Sequence, residues 1–307
     1  MNYTLHQLQV YLKVAQTQSV TKASKELHLS QPAVSIQLKN FQEQFEIPLT
    51  EVIGRKIYIT DFGKEIAEIA ENIIREVETI NSRTLAFQGQ LSGRLKISIV
   101  STGKYVMPYF LSSFVQQNQG VNLSLDVTNK SKVIENLENN EVDIALVSVL
   151  PEKLNVESIE LMENKLFLIG SKGQDLKKEH HSKDIFSKIP LIYREQGSGT
   201  RQVMEEFMKK NNLPVLKKME LTSNEAVKQA VIAGLGYSVM PIIGIKNELK
   251  NGDLEIIPVG GFPIKSNWQI IWMKGKKFSP VALAYLNHIK KEKKKLINLN
   301  FGWYDRY

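Results

Sequence analysis

Residues 19–45 read SVTKASKELHLSQPAVSIQLKNFQEQF, and their pattern of apolar and polar residues predicts the structure of the amino-terminal end of the chain. Apolar residues recur at steps of three and four on both sides of His28-Leu29-Ser30, which predicts two short helices joined by a tight turn. Ser30 before Gln31-Pro32 is typical of a helix start, because the hydroxyl accepts an amide hydrogen bond and proline in the first turn loses no needed donor. Ala23 is small enough for the helices to cross closely. The pattern predicts a helix-turn-helix.

The opposite face of the second predicted helix is polar. Gln31, Ser35 and Lys39 recur every four residues and form a stripe along it. If this helix enters the major groove, Gln31 and Ser35 reach base edges or nearby phosphates, and Lys39 contacts the DNA backbone. From spacing alone, an ordinary polar surface on a small helical domain remains the alternative.

A hairpin is predicted directly after these helices. The segment IPLTEVIGRKIYIT (47–60) has two β-rich pieces around Gly54-Arg55-Lys56, so cations lie at its tip. A basic tip beside a recognition helix is typical of a wing, which would follow the DNA backbone or the minor groove. The predicted DNA-binding residues are Ser30, Gln31, Pro32, Ser35, Ile36, Lys39, Arg55 and Lys56.

Residues 5–66 resemble the winged helix-turn-helix of the LysR-type transcriptional regulators, and the sequence downstream also fits, so the resemblance covers nearly the whole chain. Its most specific parts are Ala23-Ser24 with Leu27, LHLSQPAVS (27–35), and the proline, wing and T-x-x-G sequence from Pro48 to Gly63. The chain departs from the family at Ile36, where members often have a basic residue, and at Thr50, where an aromatic residue usually follows proline-leucine. The first departure removes an expected base or phosphate contact and makes the operator sequence unpredictable. The second should alter how the wing packs.

A long helix is predicted after the wing, because residues 61–87 contain no proline. Ile66, Ile73, Ile80 and Phe87 lie seven apart, with Ala70, Val77 and Thr84 between them, which is typical of a heptad seam. The stripe could face its own domain, but so long a helix has little of its own chain to pack on. Dimerisation is therefore favoured, and it provides the two reading heads that a twofold-symmetric operator requires. The predicted dimer contacts are Ile66, Ile73, Val77, Ile80 and Phe87.

From Leu95 the pattern changes to apolar strands alternating with helices, which predicts a parallel sheet covered on both faces. The first unit is predicted to hold strands at 95–101, 121–127 and 142–148, with helices near 105–117 and 131–139. The second is predicted to hold strands at 165–171 and 190–195, helices after Gly199 and from Ser223, and a turn at 234–241. A strand at 268–274 and a helix at 279–292 are predicted to return to the first unit.

The predicted fold class is α/β with an all-α winged helix-turn-helix domain at the amino end. The family resemblance implies that the remainder is a two-lobed, periplasmic-binding-protein-like effector domain that holds a small molecule between its lobes. The predicted domains are a DNA-binding domain (1–61), a dimerising helix (62–88), a hinge (89–94), an effector domain (95–295) and a carboxyl-terminal extension (296–307). Within the effector domain, lobe I comprises 95–164 and 268–292, and lobe II comprises 165–267.

Ligands of such sheets lie beyond the carboxyl ends of strands, where helix N-termini offer amide donors. Three segments qualify: 101–104, Ser148 and 196–201. Their hydroxyls, amides and cations favour an anion, although each segment alone could consist of routine turn and cap residues. The predicted effector contacts are Ser101, Thr102, Lys104, Ser148, Gln196, Ser198, Thr200 and Arg201.

STGKYVMP (101–108) and REQGSGTR (194–201) also resemble the branch of LysR-type regulators that governs carbon-fixation operons, whose effectors are phosphorylated metabolites. As a mechanism, we expect anion binding to close the lobes, change the relation between dimers and alter DNA bending. Such a switch requires the ligand to bind two arrangements with different affinity.

Composition excludes several other classes of protein. The 307 residues include no cysteine, so disulfides, thiolate zinc sites and cysteine nucleophiles are excluded, and the five histidines lack the H-E-x-x-H spacing. Neither a G-x-G-x-x-G fingerprint nor a P-loop occurs, and Ser198 lacks the G-x-S-x-G elbow of hydrolases. We therefore predict no catalysis, no metal and no cofactor. The alternative function is a cytosolic small-molecule-binding protein of the periplasmic-binding-protein fold without a gene-regulatory role. A solute-binding protein for transport would also fit the two lobes, but an export signal is lacking and a helix-turn-helix with a dimerising helix would have no use outside the cell.

Neither a long apolar run nor a signal peptide is present, which predicts a cytoplasmic protein without a membrane partner. The net charge of +8 comes from the carboxyl end, where residues 265–307 hold 10 Lys and Arg against 2 Asp and Glu. The run from Lys290 to Lys295 predicts a solvated helix end, and the aromatic segment 296–307 either contacts a partner or covers the domain. The predicted partners are double-stranded promoter DNA, further copies of the chain as a dimer or dimer of dimers, an anionic effector and, as a further candidate, RNA polymerase.

Overall fold

The computed structural model describes residues 2–54, 56–87, 91–173, 176, 180–214 and 216–307, and within the long helix the side chains of 78, 79 and 81–87 lie outside the described set. The chain divides into two compact units, Met1–Gly89 and Gln90–Tyr307. Among the described residues, every helix is too short or too polar to cross a membrane.

The first unit consists of helices and one hairpin. Its elements are α1 (Leu5–Thr17), α2 (Val20–Glu26), α3 (Gln31–Gln42), β1 (Thr50–Ile53), β2 (Lys56–Ile59) and α4 (Asp61–Phe87). The two strands pair in antiparallel register, with Ile53 opposite Lys56. The predicted order of helix-turn-helix, wing and long helix is confirmed, while α1 has no counterpart among the predicted helices.

α1 supplies the surface on which the other helices of this unit pack. Val10 and Val14 of α1 are fully buried against Ala23 and Val34, so the small residue of α2 does lie where helices meet. A second cluster joins Leu8, Tyr11, Phe41, Leu49 and Ala70. The turn after α2 is closed by His28, whose φ of 54° lies in the left-handed region.

The T-x-x-G sequence has a packing reason. The Oγ1 of Thr60 donates to the carbonyl of Pro48 at 2.7 Å and accepts from the amide of Gly63 at 2.9 Å, which caps α4 and ties it to the wing. The hydroxyl of Tyr11 donates to the carbonyl of Gly63 at 2.7 Å, and burial raises the pKa of Tyr11 to about 12. A Cβ at position 63 would lie 2.1 Å from the carbonyl oxygen of Leu49, so only glycine fits.

The second unit alternates strands and helices. Its elements are β3 (Ser92–Val100), α5 (Met107–Gln117), β4 (Gly120–Thr128), α6 (Lys130–Glu138), β5 (Ile144–Val147), β6 (Val156–Ser171), β7 (Leu191–Arg194), α7 (Gly199–Lys210), β8 (Lys217–Leu221), α8 (Asn224–Ile232), β9 (Ser238–Pro241), α9 (Lys246–Asn251), β10 (Leu254–Ile256), β11 (Ile264–Met273) and α10 (Pro280–Phe301). Short 3₁₀ turns lie at Ser101–Tyr105, Lys183–Ser187, Ile242–Gly244 and Gly302–Arg306.

The sheet topology separates two lobes joined by two long strands. The seven-stranded sheet has the order β10-β6-β11-β5-β3-β4, with β9 also pairing β6, and β7 pairs β8 separately. In the first lobe β3 is parallel to β4 and β5, as predicted. β11 returns to this lobe beside β5, also as predicted, and runs antiparallel to it. The first part of β6 pairs with β11 and its last residues pair with β9 and β10, so β6 carries the chain into the second lobe.

Several predicted boundaries are wrong. The predicted strand 165–171 is only the end of β6, a strand of 16 residues, because its first half alternates polar and apolar side chains instead of forming an apolar run. β3 begins at Ser92, so residues 92–94 belong to a strand and not to the predicted hinge, while 89 and 90 lie outside the described residues. Residue 88 of the predicted dimerising helix also lies outside them.

The carboxyl-terminal segment covers the second unit. α10 continues to Phe301 instead of ending at 292, so the lysine run lies within the helix and not at its end, which corrects the prediction. Leu296, Phe301 and Tyr304 are buried, and Phe301 stacks on Phe110 with ring centroids 5.9 Å apart. Apolar burial of this segment gives the helix its extra turns.

Candidate functional site

α3 has one buried face and one exposed face. Val34 and Phe41 are fully buried, and the Oγ of Ser30 accepts from the amide of Ala33 at 3.3 Å, which caps the helix. The predicted DNA contacts Ser30, Gln31, Pro32, Ser35, Ile36 and Lys39 are all exposed. Lys39 lies 3.7 Å from Glu43, a pair too exposed to hold the lysine firmly. The structure therefore brings these six residues together on one solvent-facing side of α3 and its start.

The wing carries apolar as well as charged side chains. Lys56 is exposed at the start of β2, and Arg55 lies outside the described residues. Val52 and Ile53 are 69% and 63% exposed. The sequence prediction for the wing named only its cations and omitted Val52 and Ile53, although both belong to the segment TEVI.

The predicted dimer seam on α4 divides into two parts. Ile66 is partly buried and packs against the unit's own cluster beside the buried Ala70, so the first turns of the stripe contact their own domain. The role of Ile66 as a dimer contact stays a prediction. Ile69, Ile73 and Ile80 are exposed, and Val77 is partly exposed. The strict heptad missed Ile69, which lies one turn before Ile73 on the same side. The side chain of Phe87 lies outside the described residues.

In the second unit, an inner cavity lies at the carboxyl ends of strands from both lobes. Five of the predicted effector residues line it, namely Ser101, Thr102, Ser148, Ser198 and Thr200, together with Val100, Asn129, Lys130, Arg194 and Gly199. Only about 10 Å³ of it is open, which is room for about one water molecule. The cavity is thus a small polar chamber between the two lobes.

Hydrogen bonds cross the cleft on either side of this chamber. The Nη2 of Arg194 donates to the Oγ of Ser101 at 2.9 Å. The amide of Ser131 donates to the carbonyl of Gly197 at 3.3 Å, and a Cβ at Gly197 would lie 2.5 Å from the Oγ of Ser131. Glycine at this position therefore permits the close approach of the lobes.

A larger outer cavity of about 600 Å³ adjoins the inner one through Lys130 and Ser198, which line both. It is also lined by the predicted residues Gln196 and Arg201, and by the charged residues Glu205, Glu206 and Lys209. Its volume is typical of pockets for small molecules. The Nζ of Lys130 crosses this cleft and donates to the Oε1 of Gln202 at 2.7 Å.

The electrostatics of the inner cavity favour a negatively charged group. The N-termini of α6 and α7 both open onto it, and each carries a partial positive charge from its backbone amides. Arg194 is only 4% exposed; it forms a two-pronged pair with Glu195, and its Nη1 finds no hydrogen-bond partner among the described residues. Burial lowers the pKa of Lys130, against the opposing effect of Glu206 and Glu152. A buried donor without a partner and a partly desolvated ammonium group are both stabilised by an anion.

Two of the predicted effector residues, Lys104 and Arg201, have surroundings that do not favour a contact with an anion. Lys104 is exposed, lines neither cavity, and has its Nζ 5.1 Å from the ring centre of Tyr105. Arg201 pairs with Glu205 at 2.7 Å and Glu220 at 2.8 Å. Burial opposes its charge, but these carboxylates outweigh burial and raise the pKa of Arg201. Its charge is balanced within the protein, so Arg201 is a poor candidate for holding an anion.

Arg194, Asn129 and Lys130 were missed as site residues. Asn129 and Lys130 come just after the predicted strand 121–127, and Arg194 is the last residue but one of the predicted strand 190–195. The rule that ligands lie beyond strand ends points to Asn129 and Lys130 when it is applied to every strand, but not to Arg194. Among the described residues, no group of three or more acidic or histidine side chains could hold a metal ion.

Comparison with known proteins agrees with both halves of this geometry. Residues 5–64 match the family described as "Bacterial regulatory helix-turn-helix protein, lysR family", and residues 88–294 match "LysR substrate binding domain". The chain belongs to the LysR family of transcriptional regulators. This LysR-type regulator has the predicted fold class, a winged helix-turn-helix followed by a two-lobed, periplasmic-binding-protein-like domain.

Two curated relatives cover almost the whole LysR-type chain. The HTH-type transcriptional activator CmpR of Synechocystis sp. is 39% identical over 289 residues, which are 94% of this chain and 95% of CmpR. The RuBisCO operon transcriptional regulator of Allochromatium vinosum is 35% identical and covers 95% of this chain and 97% of its own length. The predicted resemblance to regulators of carbon-fixation operons is confirmed.

Two solved structures are similar as well. The CcmR regulatory domain of Synechocystis PCC6803 in complex with 2-PG is 31% identical with a TM-score of 0.64, covering 66% of this chain and 98% of that domain. Full-length CbnR in complex with its target DNA has a TM-score of 0.66 at 20% identity, covers 94% of this chain and 99% of CbnR, and shares the fold. The relatives are transcriptional regulators that bind DNA, and this chain is a DNA-binding regulator with an effector-binding domain.

Proposed function

We propose that this LysR-type regulator binds promoter DNA as a dimer through α3 and responds to a small phosphorylated or carboxylated anion held beside Arg194. The observation that carries the effector part is the inner cavity, where a buried arginine with an unpartnered Nη1 meets the N-termini of α6 and α7. Donors from three elements converge on one small volume, and a phosphate or carboxylate group is the ligand that can satisfy them together. The outer cavity would take the rest of the metabolite.

Cross-lobe contacts supply the switch. The pairs Arg194–Ser101 and Ser131–Gly197 hold the lobes together, and the chamber between them is smaller than a phosphate group. An anion therefore enters only as these contacts separate, and it then bridges the lobes with its own oxygens. The expected closure of the lobes on the anion is in this way preceded by an opening. The two arrangements bind the anion with different affinity, which is the requirement for switching.

Calorimetric titration of the full-length protein tests the effector site. We use 2-phosphoglycolate as the probe, with inorganic phosphate and glycolate as its two halves. Arg194→Gln and Lys130→Gln should each weaken binding of 2-phosphoglycolate about 10- to 100-fold, because each removes a charge-assisted hydrogen bond. Lys104→Gln is the matched control, since Lys104 lines neither cavity. Retained affinity in both cavity variants would place the anion elsewhere.

Gene regulation is tested by following DNA bending during the same titration. We expect 2-phosphoglycolate to change the bend angle of promoter DNA carrying the protein, and Lys130→Gln to need a higher ligand concentration for that change. Ligand binding without any change in DNA geometry would refute the coupling. We also propose that the protein contacts RNA polymerase at such a promoter. It would act on chromosomal DNA in the cytoplasm.

The proposed DNA contacts are of two kinds: some specify the base sequence, and others bind the phosphate backbone of any sequence. Gln31→Ala should lose about 1–3 kcal/mol of preference for the operator over random duplex, because it removes a side chain that reaches a base edge. Lys56→Ala should weaken binding to all DNA alike and reduce the slope against salt concentration by about one. Equal behaviour of the two variants would contradict this division.

Dimerisation rests on the exposed isoleucines of α4. Ile73→Glu places a charge in the middle of that apolar side and should yield monomers in light scattering at micromolar concentration. Asn72→Glu, on the neighbouring exposed position of the same helix, is the control and should leave the dimer intact. If dimers also pair into a tetramer through the second unit, the unaltered protein appears as that larger species, and Ile73→Glu should then reduce it to a dimer instead of a monomer.

A further inference from the structure

Ile36 is an apolar side chain in a place where the fold gives it nothing to pack on. It is 56% exposed and lies one helical turn from the exposed Lys39. The hydrophobic clusters of the first unit take Val34, Leu38 and Phe41 from this helix, and Ile36 belongs to neither of them. Its position is therefore not explained by the core of the domain.

Helix stability does not explain Ile36 either. A β-branched side chain loses rotamer freedom in a helix, and lysine, glutamine or arginine would form the helix slightly better at an exposed position. Apart from Pro32, the other exposed positions of α3 hold polar or charged residues. An isoleucine among them keeps a large apolar surface in water unless a partner covers it.

The chemistry of the major groove identifies that partner. Base edges there present hydrogen-bond donors and acceptors, which an isoleucine cannot engage, and one apolar group, the C5-methyl of thymine. Ile36 is adjacent in sequence to Ser35 and one turn from Pro32 and Lys39, so it is carried to the same surface as the other reading residues. A thymine methyl is the one feature of a base edge that this side chain can recognise.

We propose that Ile36 is a specificity-determining residue that contacts the methyl group of a thymine in each half of the operator. This inference rests on the proposed function, in which α3 enters the major groove. The contact selects a T·A pair over the other pairs at one position, because cytosine, adenine and guanine lack the methyl group. Its strength corresponds to the burial of one methyl group, about a fourfold change in affinity per half-site.

The experiment begins by selecting preferred duplexes from a random pool with the full-length protein. Each thymine of the selected site is then replaced in turn by deoxyuridine, which removes only the methyl group. We expect one thymine per half-site at which this replacement weakens binding of the unaltered protein about fourfold. Replacing that T·A pair by 5-methylcytosine·guanine restores the methyl and should recover more affinity than cytosine·guanine does.

Ile36→Ala assigns the effect to the side chain. The variant should bind the thymine and deoxyuridine duplexes equally at that position, while its melting temperature stays unchanged because Ile36 is exposed. Ile47→Ala is the matched control, since Ile47 is similarly exposed at 55%, and it should keep the fourfold discrimination. Full discrimination in Ile36→Ala, or a site at which no thymine responds to deoxyuridine, overturns the inference.

The outcome separates this inference from the proposed function. If Gln31→Ala loses sequence preference while Ile36→Ala still discriminates thymine from deoxyuridine, α3 reads DNA and the role given to Ile36 is wrong. If neither variant changes sequence preference, α3 is not the reading helix, and the proposed function fails together with the inference.

Discussion

Replacement of Tyr304 by phenylalanine isolates one contact that holds the carboxyl-terminal segment on the second unit. The hydroxyl of Tyr304 accepts from the backbone amide of Lys165 at 2.9 Å, and the side chain is 4% exposed. Burial raises the pKa of Tyr304 well above its usual range, so the hydroxyl is neutral under all ordinary conditions. Lys165 lies in β6 at the point where that strand passes from one lobe to the other.

The expected cost follows from the group left behind. Tyr304→Phe keeps the ring but leaves the amide of Lys165 without its partner, which costs about 1–3 kcal/mol when the amide is buried. Because this amide is only partly buried, we expect about 1–2 kcal/mol. In a domain of this size that corresponds to a fall in melting temperature of about 2–8 °C.

Two measurements on the full-length protein check the value and its origin. Thermal melting compares Tyr304→Phe with Tyr307→Phe, a control in which the same change is made to an exposed tyrosine. Hydrogen exchange followed by mass spectrometry should show faster exchange in the peptide that contains Lys165 in the first variant alone. If both variants melt together and that peptide exchanges at the original rate, the segment does not stabilise the lobe junction and our reasoning is wrong.

Two further predictions concern other parts of the chain. Gly63→Ala should destabilise the first unit by about 3 kcal/mol or more and abolish operator binding, because the added Cβ would lie 2.1 Å from the carbonyl of Leu49; Gly54→Asn, at a left-handed turn with open space, should melt normally. Burial lowers the pKa of His288 in the folded protein, so as the pH drops the imidazole is protonated more readily in the unfolded chain. The free energy of unfolding should therefore fall as the pH drops below about 6.5. His288→Gln should flatten this part of the profile of melting temperature against pH, and an unchanged slope would contradict the prediction.

The helix α3 could be predicted from local sequence signals, because the residues that cap it and bury one of its faces lie within the helix or directly before it. Ser30 caps α3, and the buried Val34 and Phe41 follow the helical period, so the exposed side of that helix could be identified before its surroundings were known. The division of the predicted seam on α4 could not be predicted in this way, because Ile66 packs against a cluster that contains residues of α1 and α3, which are distant in sequence. A periodic stripe shows that a face will be covered, but not whether the same chain or a second copy covers it.

The effector site shows that prediction from sequence has a similar limit for charged residues, because their ion-pair partners can be distant in sequence. The segment 196–201 contains one cation, Arg201, which was predicted as an effector contact, while Arg194 was not. Glu205 lies four residues further along the same helix, but Glu220 comes from β8, and only the folded chain shows that both carboxylates balance the charge of Arg201. Arg194 has an Nη1 without a hydrogen-bond partner among the described residues, because the carboxylate of Glu195 engages only the Nε and Nη2.

The two sites differ in how they use charge, and this difference bears on how one could control the other. In the proposed function, the exposed side of α3 carries a single cation, Lys39, so discrimination between DNA sequences would depend on short-range contacts that a small displacement removes. The effector cavity concentrates two cations and two helix N-termini between lobes that are held by a few hydrogen bonds. In the proposed function, an anion that binds the two lobe arrangements with different affinity shifts the balance between them, and a change of a few ångströms in the spacing of the two DNA-binding domains of a dimer would misalign them with a twofold operator. On this proposal, regulation combines a cationic effector cavity at one site with DNA contacts of short reach at the other.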